Sequence, residues 1–339
     1  MSQNSKLNLA LVGCGNIARA HLSGIRRIAT RIRVTACIDP ELTRAQAMAR
    51  ETSSEAFASL EEGIERGSFD AVDLMLPHDA HENACNVAFD AGKHTILEKP
   101  ISTDIASAER ILEAGRNAGI VLMVAEQAQY WWDIHKTREL IDAGEIGSVL
   151  TAHATFYDPM GIDPNETLPW RYIKERAGGG VCMDGGAHWI RPMRLMLGEI
   201  EEVVASTGSH IDGRETESFG LSLLRFQSGV IATFKAVLTS GRIGPCADFR
   251  ITGSDGEIIL ERGREGRLMV YNQKHPSGHA VMSSYEGKAD SYGAELKDFS
   301  EAVLDGSELA AAPEFAMGEL RTAMAMYRSE ETRRWEKVW

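Results

Sequence analysis

Over the first 125 residues, short apolar runs alternate with stretches whose apolar positions recur every three or four residues. The runs are Leu7–Val12, Val34–Ile38, Ala71–Leu76, Thr95–Leu97 and Val121–Val124. Helical periodicity follows from Asn16, in ELTRAQAMAR, from His81 to Ala91 and in DIASAERILEAGRNAG. Continuous apolar strands joined by crossover helices predict a parallel sheet covered on both faces. Right-handed crossovers make that a doubly wound α/β domain of the Rossmann type. After residue 148 the period changes to two, in SVLTAHATFY, SFGLSLLRF and GVIATFKAVL, with glycine-containing turns between. This pattern predicts a mainly antiparallel, open sheet in an α+β domain. One helix is predicted over Val181–Leu197, and two more after Tyr292 and after Pro313. The expected division is 1–125 and 126–339, with the ligand site in the cleft between the two.

A length of 339 residues is ample for two cores, and 43% hydrophobic with 25% charged residues is ordinary globular composition. There are 49 acidic against 36 basic residues, a net charge of −13. Such a surface repels phosphate backbones and argues against nucleic-acid or anionic-membrane partners. A local loop can still bind a phosphate-bearing small molecule. The five cysteines (Cys14, Cys37, Cys85, Cys182, Cys246) are scattered, without CxxC, and read as buried free thiols of a reducing compartment. The N-terminal apolar run is too short for a signal-peptide core or a membrane span, so the cytoplasm is the expected location.

In LALVGCGNIARAH, a strand leads into Gly13-x-Gly15-x-x-Ala18 and then a helix. Gly13 allows a tight turn, Gly15 lets backbone approach a pyrophosphate, and Ala18 permits close helix–sheet packing. The pyrophosphate would rest on the free N–H groups of the helix N-terminus, at Asn16 and Ile17. Asp39 ends the second apolar run, 39 − 15 = 24 residues on, near the spacing of the acid that binds the adenosine ribose. A carboxylate there repels a 2′-phosphate, so NAD is favoured over NADP, although Arg44 offers one phosphate contact. The alternative is a glycine turn without a nucleotide.

In AGKHTILEKP, Glu98, Lys99 and Pro100 stand at the carboxyl end of a strand, the edge that faces the ligand crevice in a doubly wound sheet. A lysine there can donate to a hydroxyl or carbonyl oxygen. The plainer reading is a surface charge pair. In AGGGVCMDGGAHWIRPMRLMLG, Gly178, Gly179 and Gly180 precede a predicted helix with Asp184 and His188 at i and i+4, on one face. Gly185 and Gly186 leave that surface open for a ligand or for close packing. Imidazole titrates near neutral pH and a carboxylate can orient it, which suits proton transfer from an alcohol. The competing reading is a helix-surface ion pair.

These residues, in this order and spacing, resemble the glucose–fructose oxidoreductase/inositol dehydrogenase (Gfo/Idh/MocA) family over essentially the whole chain. Pro77-x-x-x-His81 and Glu145-Ile146-Gly147 belong to the same likeness. The resemblance implies NAD(P)-dependent redox chemistry at a secondary alcohol of a sugar or cyclitol, with Lys99, Asp184 and His188 as the catalytic trio. It implies a cofactor set of Gly13, Gly15, Asn16, Ile17, Asp39, Pro77, His81, Glu98 and Lys99, and a homodimer or homotetramer. Glycosidases that oxidise transiently with bound NAD, and non-catalytic cofactor-binding regulators, share the same look. The regulators tend to lose the lysine or histidine kept here. Where the family commonly carries an acid three residues past the histidine, this chain has Arg191, which either favours an anionic substrate or pairs with a nearby acid.

Further substrate candidates are Tyr157, with His153 on the same strand, and Trp170 and Arg171. Trp131, Trp132 and Trp189 read as packing or as a sugar-stacking surface. His78, His81 and Glu82 have metal-ligand spacing, but no second cluster completes a site and no metal is expected. The C-terminal EETRRWEKVW reads as a charged helix end with one anchoring tryptophan. There is no GxSxG and no P-loop.

Overall fold

The computed structural model describes residues 6–158, 169–239, 248–262, 266–282 and 288–339. The first part of the chain runs β1 (Leu7–Val12), α1 (Asn16–Arg27), β2 (Ile32–Ile38), α2 (Leu42–Thr52), β3 (Glu55–Phe57), α3 (Leu60–Arg66), β4 (Ala71–Leu74), α4 (His81–Asp90), β5 (His94–Glu98), α5 (Ile105–Ala118) and β6 (Leu122–Ala125). All six strands are parallel, in the order β3-β2-β1-β4-β5-β6. Leu9, Leu11, Ile96 and Leu97 are wholly buried, as strands covered on both faces require. The strand order reverses between β1 and β4, and ligands of such sheets bind beyond the carboxyl ends of the strands at that point.

The chain continues as α6 (Trp132–Asp142), β7 (Val149–Asp158), α7 (Lys174–Ala177), α8 (Ala187–Leu197), β8 (Ile200–Gly208), β9 (Phe219–Phe226), β10 (Ile231–Leu238), β11 (Phe249–Gly253), β12 (Gly256–Glu261), β13 (Arg267–Asn272) and β14 (His279–Met282). It closes with α9 (Lys288–Asp305), α10 (Met317–Thr332) and β15 (Glu336–Lys337). Nine strands lie in the order β14-β13-β12-β11-β7-β10-β9-β8-β15, antiparallel except for the β7–β10 pair. Period-two burial along β9 sends Gly220, Ser222, Leu224 and Phe226 inward and leaves Leu221 and Leu223 exposed. The inward face is covered by α8, whose Trp189 packs on Phe156 with ring centroids 4.4 Å apart, and by Met326 of α10, beside Gly220.

The domain division differs from the one the sequence predicts. The described residues cluster as 6–129 with 288–317, and 130–282 with 318–339, so the boundary is not at 125/126 and α9 returns to the first unit. Leu296 and Phe299 of α9 are wholly buried in the core of β1 and α1. Gly24 and Gly293 bring the two helices so close that a Cβ on Gly24 would lie 2.7 Å from the Gly293 nitrogen. The C-terminal decapeptide also departs from expectation. It leaves the helix and pairs Glu336 and Lys337 with Val203 and Glu202 of β8, anchored by buried Val338, while Trp339 is exposed.

Candidate active site

The turn after β1 keeps its backbone bare and close-packed. Gly13 has φ +91, and a Cβ there would meet the Met75 carbonyl oxygen at 2.3 Å, so only glycine fits. A Cβ at Gly15 would meet nothing within 4 Å, which leaves open space over the start of α1. No side chain caps that helix, so the N–H groups of its first turn, at Asn16 and Ile17, point into that space. Asp39 folds back on the loop: Cys14 N–H donates to its Oδ2 at 2.9 Å and Glu41 N–H to its Oδ1 at 2.8 Å. The carboxylate is thus fixed at the end of β2 with lone pairs left for ribose hydroxyls. Arg44 pairs with Glu41 at 2.8 Å on the surface.

Lys99 follows β5 on the same edge of the sheet. Its N–H donates to Glu98 Oε2 at 3.1 Å, while Glu98 Oε1 lies 3.0 Å from His21 Nε2. The Glu98 carboxylate, expected beside the cofactor, is 8% exposed and bound to protein groups. His81 is likewise wholly buried. Its Nε2 lies 3.1 Å from the Leu76 carbonyl and its Nδ1 3.1 Å from that of Pro100, so it ties the loop holding Pro77 to the one following Lys99. Burial pushes its pKa down against the pull of those carbonyls, and a neutral ring donates to only one of them. Glu82 is bound to Arg110 and Ser107. Among the described residues, no group of three or more His, Cys, Asp or Glu side chains is placed to hold a metal.

In the second unit, α8 begins at Ala187, so Asp184 precedes the helix that carries His188 in its first turn. The predicted sharing of one helical face does not hold. Residues 181–186 form tight turns in which Gly186 N–H bonds the Val181 carbonyl at 2.7 Å, and a Cβ on Gly186 would meet the Cys182 oxygen at 2.4 Å. The other glycines of the motif also serve packing. A Cβ on Gly179 would meet the Tyr327 hydroxyl at 2.1 Å, and one on Gly185 would meet Phe156 at 2.2 Å. Sequence reasoning missed Glu217 and Tyr327, which hold this loop from the segment just before β9 and from α10. Gly180 and Cys182 N–H donate to the Glu217 carboxyl at 2.6 and 2.9 Å, and Tyr327 Oη donates to it at 2.8 Å. Burial pushes the Glu217 pKa up against those donors. A small cavity beside them is lined by Arg171, Asp184, Gly185, Thr216 and Leu238. Within it Arg171 Nε donates to Asp184 Oδ2 at 2.9 Å, and the same guanidinium lies 4.4 Å from the Trp170 ring centroid.

Two substrate candidates are placed elsewhere. Tyr157 is the neighbour of Phe156, so it points to the sheet face opposite α8, where Lys235 lies 4.8 Å from its ring. His153 is on that face too, bound to Thr233. Arg191 is 2% exposed and bound to Glu319, so its guanidinium is committed to the fold and not presented to an anionic substrate. Trp131 is buried edge-on to Trp189 at 5.8 Å with Arg262 over its ring, and only Trp132 of that group is exposed. Cys14, Cys37, Cys85 and Cys182 are buried free thiols, and Cys246 lies outside the described residues.

Residues 7–126 match the model of an oxidoreductase family with an NAD-binding Rossmann fold, and residues 134–259 match the GFO/IDH/MocA C-terminal domain. Levoglucosan dehydrogenase of Pseudarthrobacter phenanthrenivorans is 26% identical, the match covering 92% of each chain. The 1,5-anhydro-D-fructose reductase of Ensifer adhaerens is 29% identical over 95% of this chain and 96% of that protein. The fold is that of a levoglucosan dehydrogenase solved in complex with NADH and levoglucosan, with a TM-score of 0.88 and 22% identity, covering 99% of this chain and 100% of that one. No described helix is long and apolar enough to cross a membrane. A Rossmann unit with a nucleotide-shaped glycine turn, a lysine at a strand end on the same edge of the sheet, and matches to both family models place the chain in the Gfo/Idh/MocA family of NAD(P)-dependent oxidoreductases.

Proposed function

We propose that the protein is a dehydrogenase that moves hydride between a secondary alcohol of a sugar or cyclitol and NAD. The observation that carries this reading is Lys99 at the carboxyl end of β5, on the sheet edge where the glycine turn follows β1. The names of the relatives, a levoglucosan dehydrogenase and an anhydrofructose reductase, support carbohydrate as the substrate class. The turn and Asp39 fit NAD. The open space at Gly15 takes the pyrophosphate, and the anchored Asp39 carboxylate takes the ribose hydroxyls and repels a 2′-phosphate.

NAD, when bound, supplies the hydride acceptor. Lys99 donates to the substrate hydroxyl oxygen and stabilises the negative charge that builds there. His188 takes the hydroxyl proton. Asp184, bound to Arg171, is the third member of the trio that the resemblance implies, and Arg171 and Trp170 are the remaining substrate candidates. The exposed Leu221 and Leu223 on the uncovered sheet face support a homo-oligomer joined through that face. Buried free thiols support a cytoplasmic location.

The test is the NADH absorbance band with NAD or NADP and a panel of cyclitols, aldoses and sugar acids. Reduction with one substrate class, abolished in Lys99→Ala with NADH binding retained, is the expected result. A loss of about 10²-fold or more in kcat is the scale for a group acting on charge in the transition state. Full turnover by Lys99→Ala would remove the lysine from the mechanism. A flat band with sugar release from glycosides would instead identify redox-neutral cleavage.

A further inference from the structure

Next to Lys99 in sequence, Glu98 belongs to a buried ionisable cluster that this mechanism does not use. His21, in the second turn of α1, is 0% exposed. Its Nδ1 lies 2.7 Å from Asp73 Oδ2 on β4, and its Nε2 lies 3.0 Å from Glu98 Oε1 at the end of β5. The Tyr292 ring of α9 packs at 5.5 Å, and the carboxyls of Glu126 and Glu295 face the same space. Burial alone disfavours an imidazolium, but the Asp73 and Glu98 carboxylates outweigh it, and the pKa stands well above the ordinary 6.5. Both ring nitrogens therefore donate.

We infer that His21 is a positioning residue for Lys99: one imidazolium ties the helix that carries the cofactor to the Glu98 carboxylate, whose other oxygen holds the Lys99 amide. The inference rests on the proposed role of Lys99. Helix α1 meets the cofactor at its N-terminus, about one and a half turns from His21, and β5 ends at Glu98, next to the lysine. Without the bridge, Glu98 would lose the donor that fixes its rotamer, and the strand end would lose its registry with the glycine turn. Misplacing a reacting group by about 1 Å costs on the order of 10²-fold in rate.

The two nitrogens allow a test that overall stability does not confound. In His21→Gln the amide reaches the Nε2 position and keeps a donor toward Glu98. In His21→Asn it reaches only the Nδ1 position and keeps Asp73. We expect His21→Asn to lower kcat by about ten-fold or more, His21→Gln to lower it less, and the Kd for NADH to stay within about two-fold in both. Adding His21→Asn to Glu98→Gln should cost nothing further, because both remove one contact. Deuterium exchange in the peptide that contains Lys99 should rise in His21→Asn. This readout needs no turnover, so it decides the inference even if no polyol proves to be a substrate. Equal kcat in the two His21 variants, additive losses, or unchanged exchange at Lys99 would each overturn it. If His21→Asn does not fold, Glu98→Gln carries the exchange test alone.

Discussion

Arg191 on α8 grips Glu319 on α10 with two hydrogen bonds, Nε to Oε1 at 2.8 Å and Nη2 to Oε2 at 2.9 Å, and Arg194 shares the same carboxylate. Both guanidiniums are 4% or less exposed, and Glu319 is 6% exposed. Arg191→Ala should therefore act on stability and not on substrate choice. Removing one partner of a buried pair costs about 3 kcal/mol, because the other charge stays buried. The expected result is a clear fall in thermal midpoint with Michaelis constants for neutral and acidic sugars unchanged. A selective rise for sugar acids would return the residue to the substrate site.

The Asp39 carboxylate is held by two backbone N–H groups, so it cannot swing away from an incoming 2′-phosphate. Asp39→Asn keeps the shape and an acceptor oxygen while removing the charge. The ratio of kcat/KM for NADP over NAD should rise by about ten-fold, the equivalent of ~1.4 kcal/mol. Steady-state kinetics with both cofactors checks this, and an unchanged ratio would show that Asp39 does not face the adenosine ribose.

The parallel, doubly wound character of the first unit and the glycine turn were legible because each is a local consequence of sequence. Buried parallel strands read as apolar runs, and a turn with φ > 0 demands glycine. What was not legible depended on distant partners. Nothing around Arg191 announces Glu319, 128 residues away. Leu296 and Phe299 give α9 an apolar face, but an apolar face does not say which core it covers. In the motif after Gly178, helical spacing suggested one face for Asp184 and His188. The glycines there instead admit Tyr327 and Phe156 against the backbone, and the helix starts only at Ala187. The sequence singles out this loop, but not its geometry.

Leu221 and Leu223 are 50% and 40% exposed on β9, flanked in register by Lys235 and Thr233 of β10. Two exposed leucines on an uncovered sheet face are a costly arrangement for a monomer. Sedimentation of the wild type should give a dimer or tetramer. Leu221→Glu with Leu223→Glu should shift it toward monomer while the far-UV circular dichroism stays unchanged. An unchanged sedimentation coefficient would place the contact elsewhere.

Glu295 of α9 is 1% exposed, and neither carboxyl oxygen has a hydrogen-bond partner among the described residues. Burial pushes its pKa well above the ordinary 4.5; His21 opposes the shift, while Glu98, Glu126 and Asp73 add to it. The folded protein thus keeps a proton that the unfolded chain releases above pH 4.5. Below that value both states are protonated and the group is neutral to stability. As pH rises toward the folded pKa, the unfolded state gains and stability falls. His21 has the same sign, its contribution complete below 6.5 and lost as pH passes its raised folded value. Glu295→Gln keeps the shape and cannot ionise. Wild type and variant should melt together near pH 4.5, and the variant should become progressively more stable as pH rises. Melting curves across that range decide the point, since a constant offset between the two would mean that Glu295 is already ionised in the fold.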